Sequence, residues 1–369
     1  MDATPILDRQ EPLPQRDKRN WRAVLIGGAA GALLVRWAPS IEPGFILNHP
    51  LEFGLTMMAV YYLCVLVHEL GHLAAGMGVG FAFRQFAAGP LVVYLEDGGL
   101  RFQLATARLL GGGQVMMAPE STDRLRARFL RFIAGGPAAT LLLFAIPLVW
   151  PATLFAGSLL IVNALIAFNS LLPYTINGRS TDGKLLLGLG RQGPAADRLA
   201  TILYLLAIDS RGVAPRDWPR DSLSVLEGGS EDAVYREIGL MFVYFCALDE
   251  GDPEHIADAL ERVLAVTNKM NPDSVRAYFA EAAFVQGIFR KDAPLARAWL
   301  ADARKVKGAL PREDWDCAAL AGIACAEGDP AQTCAHLTRA IAMLDRQPGT
   351  SGSLTACRER LAALRANVA

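Results

Sequence analysis

The chain has 369 residues, 52% of them apolar and only 20% charged, with a formal net charge of −1. That length allows two or three domains, and the near-neutral balance argues against a nucleic-acid partner. Six cysteines at 64, 246, 317, 325, 334 and 357 form no CxxC pair, so reduced, buried thiols are expected rather than a disulfide framework.

Taken in order, residues 1–22 form a polar, Pro-rich arm with the composition of an unstructured segment. The apolar stretch Ala23 to Ala38 follows, with Arg36 and Trp37 placed for a far membrane interface. Further apolar stretches at about Leu51–Met77, Phe129–Trp150 and Ala152–Leu172 each approach the ~20 residues that a bilayer requires. Four membrane helices are therefore expected. Arg and Lys cluster before the first stretch, between the second and third, and after the fourth, while Pro39–Pro50 and the turn at Pro151 carry none. The positive-inside rule then puts both termini and the long second loop in the cytoplasm.

The second stretch contains His68-Glu69-Leu70-Gly71-His72. In an H-E-x-x-H helix both imidazoles project from one face and share one tetrahedral metal. Glu69 is then placed to take a proton from a metal-bound water. Ionisable groups in so apolar a segment are expensive in lipid, and they mark a functional site. The alternative is a buried helix of a soluble protein that carries the pattern by chance.

The second loop has a strand pattern at Phe81–Phe86, then Leu91–Leu95 and Leu100–Leu104 as a hairpin, and Gly111–Met117 as a further strand. Such a sheet either offers an edge to an extended peptide or covers the metal site. The remaining histidines, His49, His255 and His336, fall on the wrong side or in the polar C-terminal half. Asp182, in Asp-Gly after the fourth stretch, emerges at the depth of His68 and His72 and can close a His2Asp site with the fourth position left for water.

HELGH in an apolar helix, with Gly89-Pro90, Gly112-Gly113, Gly136-Pro137 at a helix start and a later Asn, Pro and Asp-Gly, resembles the site-2 protease family of intramembrane zinc metalloproteases. The resemblance spans about Leu51 to Leu187. It implies Zn2+ held by His68, His72 and Asp182, Glu69 as general base, and Asn169 as a substrate-binding residue. Three residues rather than two separate Asn169 from Pro173, and the stretch to Asp182 is longer than the family's usual one. Asn163, on the same helix, is the alternative polar group.

Beyond Gly193 the chain is more polar. Residues 193–230, with their Pro and Gly clusters, read as a linker. Residues 231–369 contain three similar segments with turns at Gly251-Asp-Pro253, Asp292-Ala-Pro294 and Gly328-Asp-Pro330. This is the spacing of helix-pair repeats, and it resembles a tetratricopeptide-type module.

The expected fold is mainly α: a membrane-embedded metalloprotease domain over 23–192 with a small β insert, then a cytoplasmic helical-repeat domain. The expected activity is hydrolysis of a peptide bond in or beside a transmembrane segment of a membrane protein substrate. A cytoplasmic adaptor or client tail is the partner expected for the repeats. The rival readings are a membrane-tethered scaffold that keeps a residual metal site and, with less support from polar membrane residues, a metal transporter.

Overall fold

The computed structural model describes Leu7 and residues 46, 48–96, 98–105, 112–149, 153–176, 179–228, 232–267, 272–309, 312–347 and 351–368. Two compact units make up the chain: residues 18–200, and residues 1–17 together with 201–369. The expected membrane helix at Ala23–Ala38 and most of the arm lie outside the described residues.

The first unit is built on α1, Pro50–Gly78, a 29-residue helix of roughly 43 Å at 1.5 Å per residue. Proline at its start costs nothing, because that N–H has no helical partner. At the other end Arg128 closes the helix: Nε donates to Val79 O at 2.9 Å and Nη2 to Gly80 O at 3.0 Å. The same guanidinium lies 4.9 Å from the Phe81 ring centroid.

The chain then forms an antiparallel sheet from β1 (Phe81–Ala88), β2 (Leu91–Glu96), β3 (Gly99–Leu104) and β4 (Gly113–Pro119), in the order β3-β2-β1-β4. The β1–β2 turn is tight, with Gly89 at φ 56°, a conformation that glycine adopts without Cβ strain. Each expected strand is present. β3 is exposed along its length, whereas Phe86 and Ala88 of β1 pack with Val65 of α1.

Next come α2 (Leu125–Leu143), α3 (Ala145–Val149) and α4 (Leu154–Leu171). The expected helix at Phe129–Trp150 is thus two pieces. Pro147 has no N–H to give Leu143 O, so α2 ends at Leu143 and the chain turns at Phe144. Nor does α2 start at Gly136-Pro137; Pro137 lies inside it. Among the described residues, α1 and α4 are long and apolar enough to cross a membrane. Only 17% of the most apolar window of α1 is buried, against 44% for α4. A core helix of a soluble protein would be covered, and α1 instead exposes Leu51, Leu55, Met58, Leu63 and Leu70.

The first unit ends with the short strands β5 (Thr175–Ile176) and β6 (Arg179–Ser180), then α5 (Asp182–Gly190) and the start of α6 (Pro194–Asp209).

The second unit is helical. Residues 193–230, expected as a linker, contain α6, a 3-10 turn at Pro215–Asp217 and α7 (Arg220–Glu227). Trp218, Leu223 and Leu226 enter the main core, with Trp218 edge-on to Phe242 at 5.2 Å. The Pro and Gly clusters mask this apolar spacing in the sequence. Three helical hairpins follow: α8 (Ala233–Glu250) with α9 (Pro253–Leu264), α10 (Pro272–Ile288) with α11 (Ala293–Lys305), and α12 (Glu313–Ala326) with α13 (Pro330–Leu344). The closing helix is α14, Gly352–Val368. Asp252, Asp292 and Asp329 cap the second helix of each pair through backbone N–H groups, with proline in the first turn.

Candidate metal centre

His68 and His72, one turn apart on α1, are each 7% exposed, and Glu69 is 6% exposed. Small residues let the neighbouring backbone close over them. A Cβ at Gly71 would strike Gly135 O, and one at Gly135 would strike Gly71 O, so α1 and α2 cross backbone to backbone at this point. A Cβ at Gly136 would enter the His72 ring, and one at Gly113 would enter the Glu69 carboxylate. Glycines that read as loose motif letters are thus the places where α2 and β4 approach the site.

The shorter contacts favour a proton on Nδ1 of each ring. The Thr140 hydroxyl donates to Gly136 O at 3.1 Å, so at 2.7 Å it must accept from His68 Nδ1–H. His72 Nδ1 lies 3.0 Å from Phe132 O, which can only accept. The Gly136 N–H also approaches this nitrogen, but at a longer 3.3 Å. Both Nε2 lone pairs therefore point into the site. They lie 3.2 Å apart, and Asp182 Oδ2 sits 3.1 Å from His68 Nε2 and 3.4 Å from His72 Nε2.

These three edges are those of one face of a tetrahedron with ligand bonds of about 2.0 Å, whose edges are about 3.3 Å. Two inward lone pairs and a carboxylate at that spacing are a donor set that suits a divalent cation. Among the described residues, His68, His72 and Asp182 form the one such His/Cys/Asp/Glu group.

Asp182 is the first residue of α5, where the helix N-terminus favours a carboxylate. Its Oδ2 also accepts from Ser170 Oγ at 2.7 Å. Burial opposes the Asp182 charge, and the Ser170 hydrogen bond favours it. The longer stretch from Pro173 is taken up by β5 and β6, with Thr181 N–H bonded back to Tyr174 O. Gly183 lies so close to Leu171 O that no Cβ fits. Asp-Gly, a weak turn signal in sequence, is here a packing requirement that sets the carboxylate beside the end of α4.

A family model for peptidase family M50 matches residues 56–339. The chain belongs to peptidase family M50. The match spans the HExxH helix, the sheet and Asp182, and it runs on through the helical hairpins to α13. No curated protein and no solved structure matches. Members of this family are membrane metallopeptidases, so a metal held by His68, His72 and Asp182 fits both the family and the geometry.

The other expected M50 site residue lies elsewhere in its contacts. Asn169 is exposed and its Oδ1 accepts from the Tyr174 hydroxyl at 2.7 Å. Asn163 is 1% exposed and donates to Thr140 O at 2.9 Å, so it braces the residue that orients His68. His49 and His255 pair with Glu52 and Glu250, away from the centre. Sequence reasoning missed Thr140 and Ser170. Their signal was a hydroxyl inside an apolar run, where an unpaired polar group is costly.

Proposed function

We propose that the chain is an intramembrane zinc metalloprotease that cleaves a peptide bond within or beside the transmembrane segment of a membrane protein. The observation that carries this reading is the triangle of His68 Nε2, His72 Nε2 and Asp182 Oδ2, with both imidazole lone pairs aimed inward, on a helix whose apolar surface is left uncovered.

His68, His72 and Asp182 would hold zinc. When bound, zinc polarises a peptide carbonyl and eases the ionisation of water. Glu69, beside the first histidine and against Gly113 of β4, accepts the proton of the attacking water and delivers it to the leaving amide nitrogen. β4 is a sheet edge next to that carboxylate, so an unwound substrate segment can add to it through main-chain hydrogen bonds. Tyr174 and Asn169, at the far end of α4, are the polar pair available to hold such a segment.

The loop charges support a multi-pass chain with residues 23–38 as a further span and both termini cytoplasmic. The hairpins with Asp-capped, Pro-started second helices support a tetratricopeptide-like module that recruits a client tail or adaptor.

The test is Glu69→Gln in the purified full-length chain. It should keep about one zinc per chain and lose cleavage of a transmembrane test substrate by roughly 100- to 10,000-fold. Unchanged cleavage by this variant would remove Glu69 from the chemistry. A chain that never cleaves but retains its biological role as Glu69→Gln would be a scaffold.

A further inference from the structure

The arm is polar and proline-rich, yet Leu7 is 1% exposed and lies in the core cluster of the helical unit. Three side chains bind its main chain. The Leu7 N–H donates to Glu261 Oε2 at 2.7 Å. Its carbonyl accepts from Gln286 Nε2 and Trp299 Nε1, each at 2.9 Å. Glu261 is on α9, Gln286 on α10 and Trp299 on α11, so three successive helices from two hairpins converge on one residue.

Gln286 is 1% exposed and Trp299 3%. Buried amide and indole N–H groups need acceptors, and the indole N–H here is given to a carbonyl 292 positions away in sequence. Side chains that pair the N–H and C=O of one residue read main chain without regard to side chain. The leucine socket adds the selection. This is how a helical scaffold holds a peptide as ligand, since helix cores otherwise close on their own backbones.

We propose that the helical unit is a receptor for a short, leucine-bearing peptide segment and that the N-terminal arm, through Leu7, is its ligand in cis. A client segment of the same chemistry must displace the arm to bind. The inference sharpens the partner reading of the helical hairpins and needs no proteolysis, so its test reads binding alone.

The full-length chain and a chain lacking residues 1–14 are compared in detergent for binding of a fluorescent peptide with the sequence of residues 1–14. The shortened chain should bind the peptide, and the intact chain at least tenfold more weakly, because its own arm competes. A Leu7→Asp peptide should bind on the order of thirtyfold more weakly, from loss of one leucine burial. Trp299→Phe, which removes the indole N–H and leaves a smaller aromatic ring facing Phe279, should weaken the peptide about fivefold.

Leu7→Ser in the otherwise intact chain leaves the arm attached without its anchor, and should bind the peptide as the shortened chain does. Equal binding of the Leu7→Asp peptide, or no peptide binding by a folded shortened chain, overturns the proposal. So does a shortened chain that no longer folds, because a displaceable ligand is not needed for the fold.

Discussion

Both units bring two helix backbones together at a pair of glycines, and the two pairs do different work. Gly71 and Gly135 seat α1 on α2 between Glu69 and His72, so the contact sets the height of the HExxH turn against Thr140 and Phe132. Gly287 and Gly322 seat α10 on α12, with only hairpin stacking around them. One close approach positions chemistry and the other positions a scaffold. In the first unit, polar groups inside helices orient His68 and Asp182. In the second, polar groups cap helices or hold Leu7.

The sharpest way to break this contrast is to fill each contact. Gly71→Leu should abolish zinc binding and cleavage together, because its side chain meets the Gly135 carbonyl and Ala139. Metal analysis and a cleavage assay on the purified variant check this, and a variant that binds zinc normally would separate the crossing from the site. Gly113→Ala presses on Glu69 rather than on a ligand. It should lower kcat by about a hundredfold with zinc retained, the scale of a 1 Å misplacement. Loss of metal instead would mean that β4 supports the histidines.

Thr140→Val removes the acceptor that holds the His68 proton on Nδ1. Zinc affinity should fall 10- to 100-fold, as measured by competition with a chelator. The corresponding change in the second unit, Gly287→Leu, should lower the stability of that unit by about 1–3 kcal/mol and leave zinc content untouched. Equal zinc loss in both glycine variants would erase the distinction between the units. The smallest effect concerns Cys246. Burial, with Glu250 beside it, pushes this thiol up to about 12. At pH 8 about one thiol in ten thousand is then ionised, and Cys246 should resist alkylation until the chain unfolds.

Much of the site was legible because its chemistry is local. Two histidines four residues apart, with a glutamate after the first, need one helical turn and nothing else. Helix starts at Pro253 and Pro330 were legible for the same reason, since an Asp cap and a proline act within a few residues. The nearness of Asp182 to the two histidines was legible from position along the chain. Thr140 and Ser170 were not, because their roles depend on which turn of α2 and α4 faces α1, a long-range matter. Leu7 was hidden by its surroundings: composition averages a segment, and one buried leucine does not change the average. The break at Phe144 shows the reverse error, in which overall apolarity outweighed a single Pro147.

The central claim is that Asp182, reached only across the whole first unit, completes the metal site that His68 and His72 begin. It is tested most directly by the zinc content of purified Asp182→Ala beside the wild-type chain. The account predicts about one zinc per chain in the wild type and loss of tightly held zinc in the variant, with the fold retained. Full retention of zinc by Asp182→Ala would contradict it.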